Sequence, residues 1–212
     1  MKSSKNKLDM IECYGVIHGL ASAFNVQSYL EIGVREGASL CCAVAREKEI
    51  AKFALWCLAD GKHYLTQDII TKISELYSPR NVDMKVYLFD NWSYEGCENG
   101  RGHIEALLTN GFAMNNYEIF DGDSKETVPK FFLGHKEKVD LAFVDGDHEV
   151  EGATTDLENV WRHAKVLVVH DLFHPGHECL YGVFLDFCKR RDLPYVVLGK
   201  KVLGTGIIFN LW

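Results

Sequence analysis

One stretch constrains this chain more than any other: residues 139–171, VDLAFVDGDHEVEGATTDLENVWRHAKVLVVHD. An apolar run closes on acidic residues, an amphipathic segment follows, and a second apolar run closes on His170 and Asp171. The runs 139–144 and 166–169 are short and rich in β-branched residues, as strands buried on both faces of a parallel sheet are. Between them Val150, Ala153, Leu157, Val160 and Trp161 recur at helical spacing, giving the connection an apolar stripe to lay on the sheet. A right-handed crossover puts the carboxyl ends of both strands on one edge. Asp145, Asp147, His148, His170 and Asp171 are therefore expected to converge at one crevice. The plain alternative is that such acidic strand ends are solvated loop openings or helix caps.

The rest of the chain supplies the other strands of such a sheet. Residues 1–7 are polar, and from Leu8 the apolar positions Met10, Tyr14, Ile17, Ala21 and Phe24 mark an amphipathic helix ending near Asn25. Residues 1–27 thus read as a helical cover over a sheet edge or over the mouth of the site. Residues 28–45, SYLEIGVREGASLCCAVA, give a strand at 29–32, a turn bracketed by Gly33 and Gly37, and a helix of small residues at 38–45. Glycine lets a backbone approach a ligand, and the following helix offers free N–H groups. The segment 53–58 reads as helix or strand, and 67–76 as a helix stopped by Ser78 and Pro79. Were 53–58 the second strand, Asp60 would be its terminal carboxylate; the preferred second strand is 85–89, with Asp90 directly after it. A polar loop at 93–102, a helix at 104–108 and a third strand at 117–120 follow, then Asp121, Gly122, Asp123 and Ser124. A helix at 125–132 leads into the central unit. Beyond Asp171 come a loop HPGHE, a helix at 179–189 and a strand at 195–198. The last strand, 204–211, follows a connection short enough for a hairpin, so it is expected to run antiparallel.

Bulk properties exclude several classes of function. A chain of 212 residues with 47% apolar content suits one α/β domain. A formal charge of −7 argues against nucleic-acid phosphate as a partner, and Lys2, Lys5 and Lys7 are too few to reverse it. No run reaches the roughly 18 apolar residues of a membrane span, and no apolar signal core follows the early lysines. Seven scattered cysteines, without a C-x-x-C pair, indicate neither a disulfide framework nor a zinc knuckle. The expected location is cytoplasmic.

The series EIGVREG, LFDNW, FDGDS, LAFVDGDHEVEGATTDLENVW, VLVVHD and GTGIIF, within residues 28–211, resembles the class I S-adenosylmethionine-dependent methyltransferases. It is most similar to the branch whose fourth strand ends in Asp-Gly-Asp-His, related to macrolide-sugar O-methyltransferases and cephalosporin-hydroxylase-like proteins. The resemblance implies a Rossmann-like three-layer α/β sandwich over residues 28–212, with strand order 3-2-1-4-5-7-6 and an antiparallel last strand. By position it implies that Glu31, Gly33 and Gly37 line the methionine end of the cofactor, Asp90 the ribose, and Asp123 with Ser124 the adenine. Asp145 would lie beneath the sulfonium and the substrate. Arg35 stands where the family often has a third glycine, and residues 46–83 form an insertion. Metal-dependent relatives hold magnesium with acidic residues after the fourth and fifth strands, which implies Asp145, His170 and Asp171 as ligands for magnesium or manganese here, or an ion-free site.

The leading expectation is methyl transfer from S-adenosylmethionine to an oxygen of a small molecule, with His148 and His170 as candidate bases beside Asp145. Two other classes remain open. Asp145-Gly146-Asp147 could be the metal-binding Asp-x-Asp of a nucleotide-sugar glycosyltransferase, or the chain could be a non-catalytic nucleotide-binding module. The sequence leaves monomer and homodimer undecided.

Overall fold

The computed structural model describes residues 3–57, 66–93, 99–199 and 203–211. Seven strands form one sheet: β1 (Ser28–Ile32), β2 (Lys85–Asp90), β3 (Tyr117–Asp121), β4 (Val139–Val144), β5 (Ala164–Val169), β6 (Tyr195–Leu198) and β7 (Thr205–Phe209). Their order is β3-β2-β1-β4-β5-β7-β6; β7 runs antiparallel to both neighbours, and the remaining pairs are parallel. This is the expected doubly wound order, including the reversed last strand.

Alternation along the strands builds two cores. In β4, Leu141 and Phe143 face one layer with Val86, Leu88, Val166 and Val168, while Ala142 and Val144 face the other with Leu30, Phe89 and Leu167. The first layer is covered by α1 (Ser3–Ala23), α2 (Ala38–Val44) and α3 (Ile50–Cys57), with α4 (Gln67–Leu76) and α5 (Gly100–Ala106) beside them. The second is covered by α6 (Ser124–Gly134), α7 (Val150–Val160) and α8 (Cys179–Arg190), through Val128, Leu157, Phe184 and Phe187. Each such fully buried side chain contributes about 1.5–3 kcal/mol, so covering both faces is what makes the sheet stable.

Two ambiguities of the sequence resolve here. The described part of segment 53–58 is helical, within α3, because Ile50, Ala51 and Ala54 form a buried helical stripe against α1 and α2. The strand reading of that segment is thereby overturned; Asp60 lies outside the described residues. Phe24 does not complete the stripe of α1: it is 41% exposed, because the helix ends at Ala23 and Asn25 turns the chain at φ 47°. Tyr14, Ile17 and Ala21 carry the contact instead.

The register brings the functional ends level. Ile32 pairs with both Phe89 and Val144, and Val144 pairs with Val169. The ladder runs one residue further: Gly33 N–H donates to the Phe89 carbonyl, Asp145 N–H to Ile32 and His170 N–H to Val144, at 2.9, 3.0 and 3.2 Å. The turns after β1, β2, β4 and β5 therefore open at one height on the carboxyl edge.

Candidate active site

A cavity of about 660 Å³ occupies that edge. Gly33, Asp90, Asp123, Ser124, Asp145, His148, His170 and Asp171 all line it, whereas Glu31 and Gly37 stand outside its wall. The volume lies within the range of small-molecule and cofactor sites.

The turn after β1 is shaped by close backbone approaches. Gly33 has φ 84°, and a Cβ there would meet the Asp145 carbonyl oxygen at 2.2 Å, so glycine lets this turn touch the one after β4. Arg35, standing where the resemblance implies a further glycine, adopts φ 48° itself and donates its backbone N–H to Asp90 Oδ2 at 2.9 Å. Asp90 Oδ1 accepts from Trp92 N–H at 2.6 Å. Asp90 thus ties the ends of β1 and β2 together, and each carboxylate oxygen keeps lone-pair capacity toward the cavity. Glu31 points the other way. It is 0% exposed, accepts from the Tyr29 hydroxyl at 2.8 Å and from Ser39 Oγ, and burial pushes its pKa up to about 8 against the pull of those two hydroxyls. Its carboxyl fastens α2 to β1 beneath the turn. Gly37, at φ 76°, packs α2 against Ile104 of α5.

On the β3 side, Asp123 caps α6 by accepting from Lys125 N–H at 2.9 Å. Ser124 Oγ donates to Asp156 Oδ1 of α7 at 2.6 Å, so this hydroxyl is committed inward. Asp121 is occupied by Arg101 and by the Trp92 indole N–H, at 2.6 and 2.8 Å.

At the β4–β5 end four side chains meet. His148 Nε2 lies 3.3 Å from Asp145 Oδ1 and 3.8 Å from Asp171 Oδ2. His170 Nδ1 lies 3.4 Å from Asp145 Oδ1 and 3.2 Å from Asp171 Oδ1, within ion-pair range but without hydrogen-bond alignment. Asp171 holds a left-handed backbone, φ 56°, a conformation that Asp tolerates better than most residues. Burial opposes charge on Asp145, yet His170 and His148 together hold its carboxyl well below the usual carboxylate range. The hydrogen bond to Asp145 raises the pKa of His148 against a smaller effect of burial. Burial raises the pKa of Asp171 despite both histidines.

Asp145, His148 and Asp171 bring one ligand atom each within 4.8 Å of one another, a geometry that could hold a metal ion. The sequence suggested His170 in place of His148. His170 is only 4% exposed and sits behind Asp145, where the crossover leaves it under α1 and beside Cys13. His148, four residues into the β4–α7 turn, reaches over the top. Asp147 lines the same cavity, as expected, but stands apart from that three-residue group. It accepts from Glu149 N–H at 2.9 Å and pairs with Lys125 Nζ at 3.1 Å, folded onto the first turn of α7, where a Cβ on Gly152 would lie 1.9 Å from its Oδ2.

In sequence HPGHE reads as a loop. In the structure His174 lines the cavity, and His177 bridges it to His148, with ring centroids 4.8 and 4.3 Å apart. The signal was present as two histidines three apart around Pro175-Gly176, directly after a site-bearing strand.

A family model described as a methyltransferase domain matches residues 30–172. Among solved structures, CalS11, a TDP-rhamnose 3'-O-methyltransferase of calicheamicin biosynthesis, is similar with TM-score 0.59 and 15% identity, covering 99% of this chain and 80% of that one. The O-methyltransferase TomG from Streptomyces achromogenes, solved in complex with SAM, gives TM-score 0.60 and 16% identity over 92% and 78% of the two chains. An O-methyltransferase from Bacillus cereus, in complex with SAH, gives 0.57 and 13% over 92% and 80%. No curated protein sequence matches. At these identities the structural likeness speaks for the fold, and it agrees with a family match that spans more than half of the chain: the protein belongs to the methyltransferase-domain family.

Proposed function

We propose that the protein transfers a methyl group from S-adenosylmethionine to an oxygen of a small-molecule acceptor. The observation that carries this reading is the single cavity in which Asp90 and Asp123 stand at one end and Asp145, His148 and Asp171 at the other. A nucleoside-bearing cofactor and an acceptor can share that space end to end. The cofactor supplies a methyl carbon already activated by its sulfonium. The chain's part is to bind, align and deprotonate. Asp90 offers free lone pairs to the ribose hydroxyls, Asp123 stands at the adenine end, and the turn at Gly33 brings the backbone close to the methionine moiety. Asp145 fixes His148 from below, and His148 Nε2 is placed to take the acceptor proton. His170 holds Asp145 from behind.

The donor set of two carboxylates and one imidazole fits a divalent cation, manganese more readily than magnesium. Asp145, His148 and Asp171 would hold it, and it would lower the pKa of the acceptor hydroxyl. Treatment with EDTA separates the two versions: a metal enzyme loses turnover and regains it with manganese or magnesium, while a purely acid-base enzyme is indifferent.

Residues 1–27 fit a helical cover on the methyltransferase domain, since α1 packs on α2 and α3. A cytoplasmic location is supported by the seven scattered cysteines without a C-x-x-C pair, and the formal charge of −7 supports a small molecule rather than nucleic acid as partner. No helix among the described residues is long and apolar enough to cross a membrane. Sedimentation distinguishes a monomer from a homodimer. The function itself is tested by calorimetric titration with S-adenosylhomocysteine, a uridine-diphosphate sugar and NADH. Binding of the first alone is the expected result, and binding of either other ligand without it overturns the proposal in favour of a glycosyltransferase or a nucleotide-binding module.

A further inference from the structure

Asp156 lies in the middle of α7, outside the cavity wall, and is 0% exposed. A carboxyl group in such a place is costly unless its oxygens are engaged. Oδ1 accepts from Ser124 Oγ at 2.6 Å, at the start of α6 and directly after the turn that follows β3. Oδ2 faces the turn after β4: a Cβ on Gly146 would lie 3.0 Å from it. It lacks a partner of hydrogen-bond geometry, and burial pushes the Asp156 pKa up to about 6 against the pull of Ser124 Oγ and the Asp147 backbone. One buried carboxyl therefore touches both turns. Gly146 is bare because Ile32 and Asp156 fill the space a side chain would need.

The same two turns are joined a second time at the surface by Lys125 and Asp147, 3.1 Å apart. With side chains 37% and 31% exposed, that pair is screened by solvent and holds little by itself. The buried link is the stiff one.

We propose that Asp156 is a positioning residue that sets the spacing between the turn carrying Asp123 and Ser124 and the turn carrying Asp145 and His148. It touches neither cofactor nor acceptor. Resting on the methyl-transfer reading, it couples the adenine end of the cavity to the catalytic end, so that cofactor seating and alignment of Asp145 respond together when it is altered.

The test uses the full chain with Asp156→Asn, Asp156→Ala, Ser124→Ala and Lys125→Met. Amide hydrogen exchange is read on the unliganded proteins, and S-adenosylhomocysteine affinity by calorimetry. Asp156→Asn keeps the shape but removes the charge and leaves one oxygen, not two, to accept. It should speed exchange in residues 122–125 and 145–149 specifically and weaken S-adenosylhomocysteine about tenfold, the effect of turning the charge-assisted bond from Ser124 Oγ into a neutral one. Ser124→Ala should reproduce part of both changes. Lys125→Met alone should do little, yet it should add more to Asp156→Asn than it costs by itself, because the surface pair is then the remaining tie. A purely structural role would instead raise exchange evenly along the chain and leave affinity unchanged. That result, or unaltered exchange at both turns in Asp156→Asn, overturns the proposal. If Asp156→Ala does not fold, the Asn and Ser124 variants still decide. Loosened turns in a protein whose unmodified form does not bind S-adenosylhomocysteine would retain the positioning role and overturn the methyl-transfer reading.

Discussion

Glu31 and Asp145 sit at the carboxyl ends of neighbouring strands, β1 and β4, yet one is enclosed beneath the turn and the other faces the cavity. Glu31 is wholly enclosed and meets the hydroxyls of Tyr29 and Ser39. Asp145 keeps 19% of its side-chain exposure and meets two imidazoles. Hydroxyls donate hydrogen bonds but carry no charge, so burial prevails and Glu31 takes up a proton more readily, with a pKa of about 8. Imidazoles can become cations, so their field prevails at Asp145, whose carboxyl is held below its ordinary range. Burial alone does not decide whether a carboxyl is charged; the charge its neighbours can carry does.

The largest expected effect separates the two by activity. Asp145→Asn should lower kcat by about a thousandfold or more, as loss of a group that aligns the base and stabilises charge does, while circular dichroism shows an intact fold. Glu31→Gln should keep turnover within a few-fold. The reverse result in a methyltransferase assay would exchange the two roles.

Next comes a pH test of Glu31 itself. Its folded pKa of about 8 lies above the ordinary value of 4.5, so its contribution to stability is complete below pH 4.5 and is lost as pH rises toward 8. Glu31→Gln keeps the hydroxyl contacts without this loss. Between pH 5 and pH 8 the variant should gain on the parent by on the order of a few kcal/mol in urea unfolding. A parallel pair of curves would mean that Glu31 is ionised in the native state, as Asp145 is.

Asp90 is a third acidic residue on the same edge, midway in character, because backbone N–H groups hold it while its oxygens still face the cavity. Asp90→Ala should weaken S-adenosylhomocysteine by about 1.5–3 kcal/mol, the scale for hydrogen bonds to a charged group. Asp60→Ala should leave calorimetric affinity as it was. The opposite outcome would move the ribose site away from β2. The smallest effect is that of Tyr29→Phe, which removes one of the two donors to Glu31 and should cost about 1 kcal/mol in urea unfolding while sparing cofactor binding. A loss of affinity in that variant would draw Glu31 into the cofactor site after all.

What the sequence determined by itself is the part of the fold that local pattern controls. Apolar runs rich in β-branched residues mark β4 and β5, the short connection after β6 forces an antiparallel β7, and Asp90 ends β2, Asp145 follows β4 at once and Asp171 stands two residues beyond β5, so their common edge follows from parallel pairing. Tertiary structure decided which way each polar side chain faces and what it meets. Glu31 turns inward because Ser39 and Tyr29 wait on that side, and nothing in SYLEIG shows where a residue of α2 will lie. His148 rather than His170 completes the group with Asp145 and Asp171, because α1 closes over His170 from more than a hundred residues away in the chain. HPGHE has the composition of an idle loop, and only the fold brings its His174 to the cavity and its His177 against His148. Periodicity records how each segment buries its own apolar face. The partners of a buried polar group come from distant segments, and only the assembled fold brings them together.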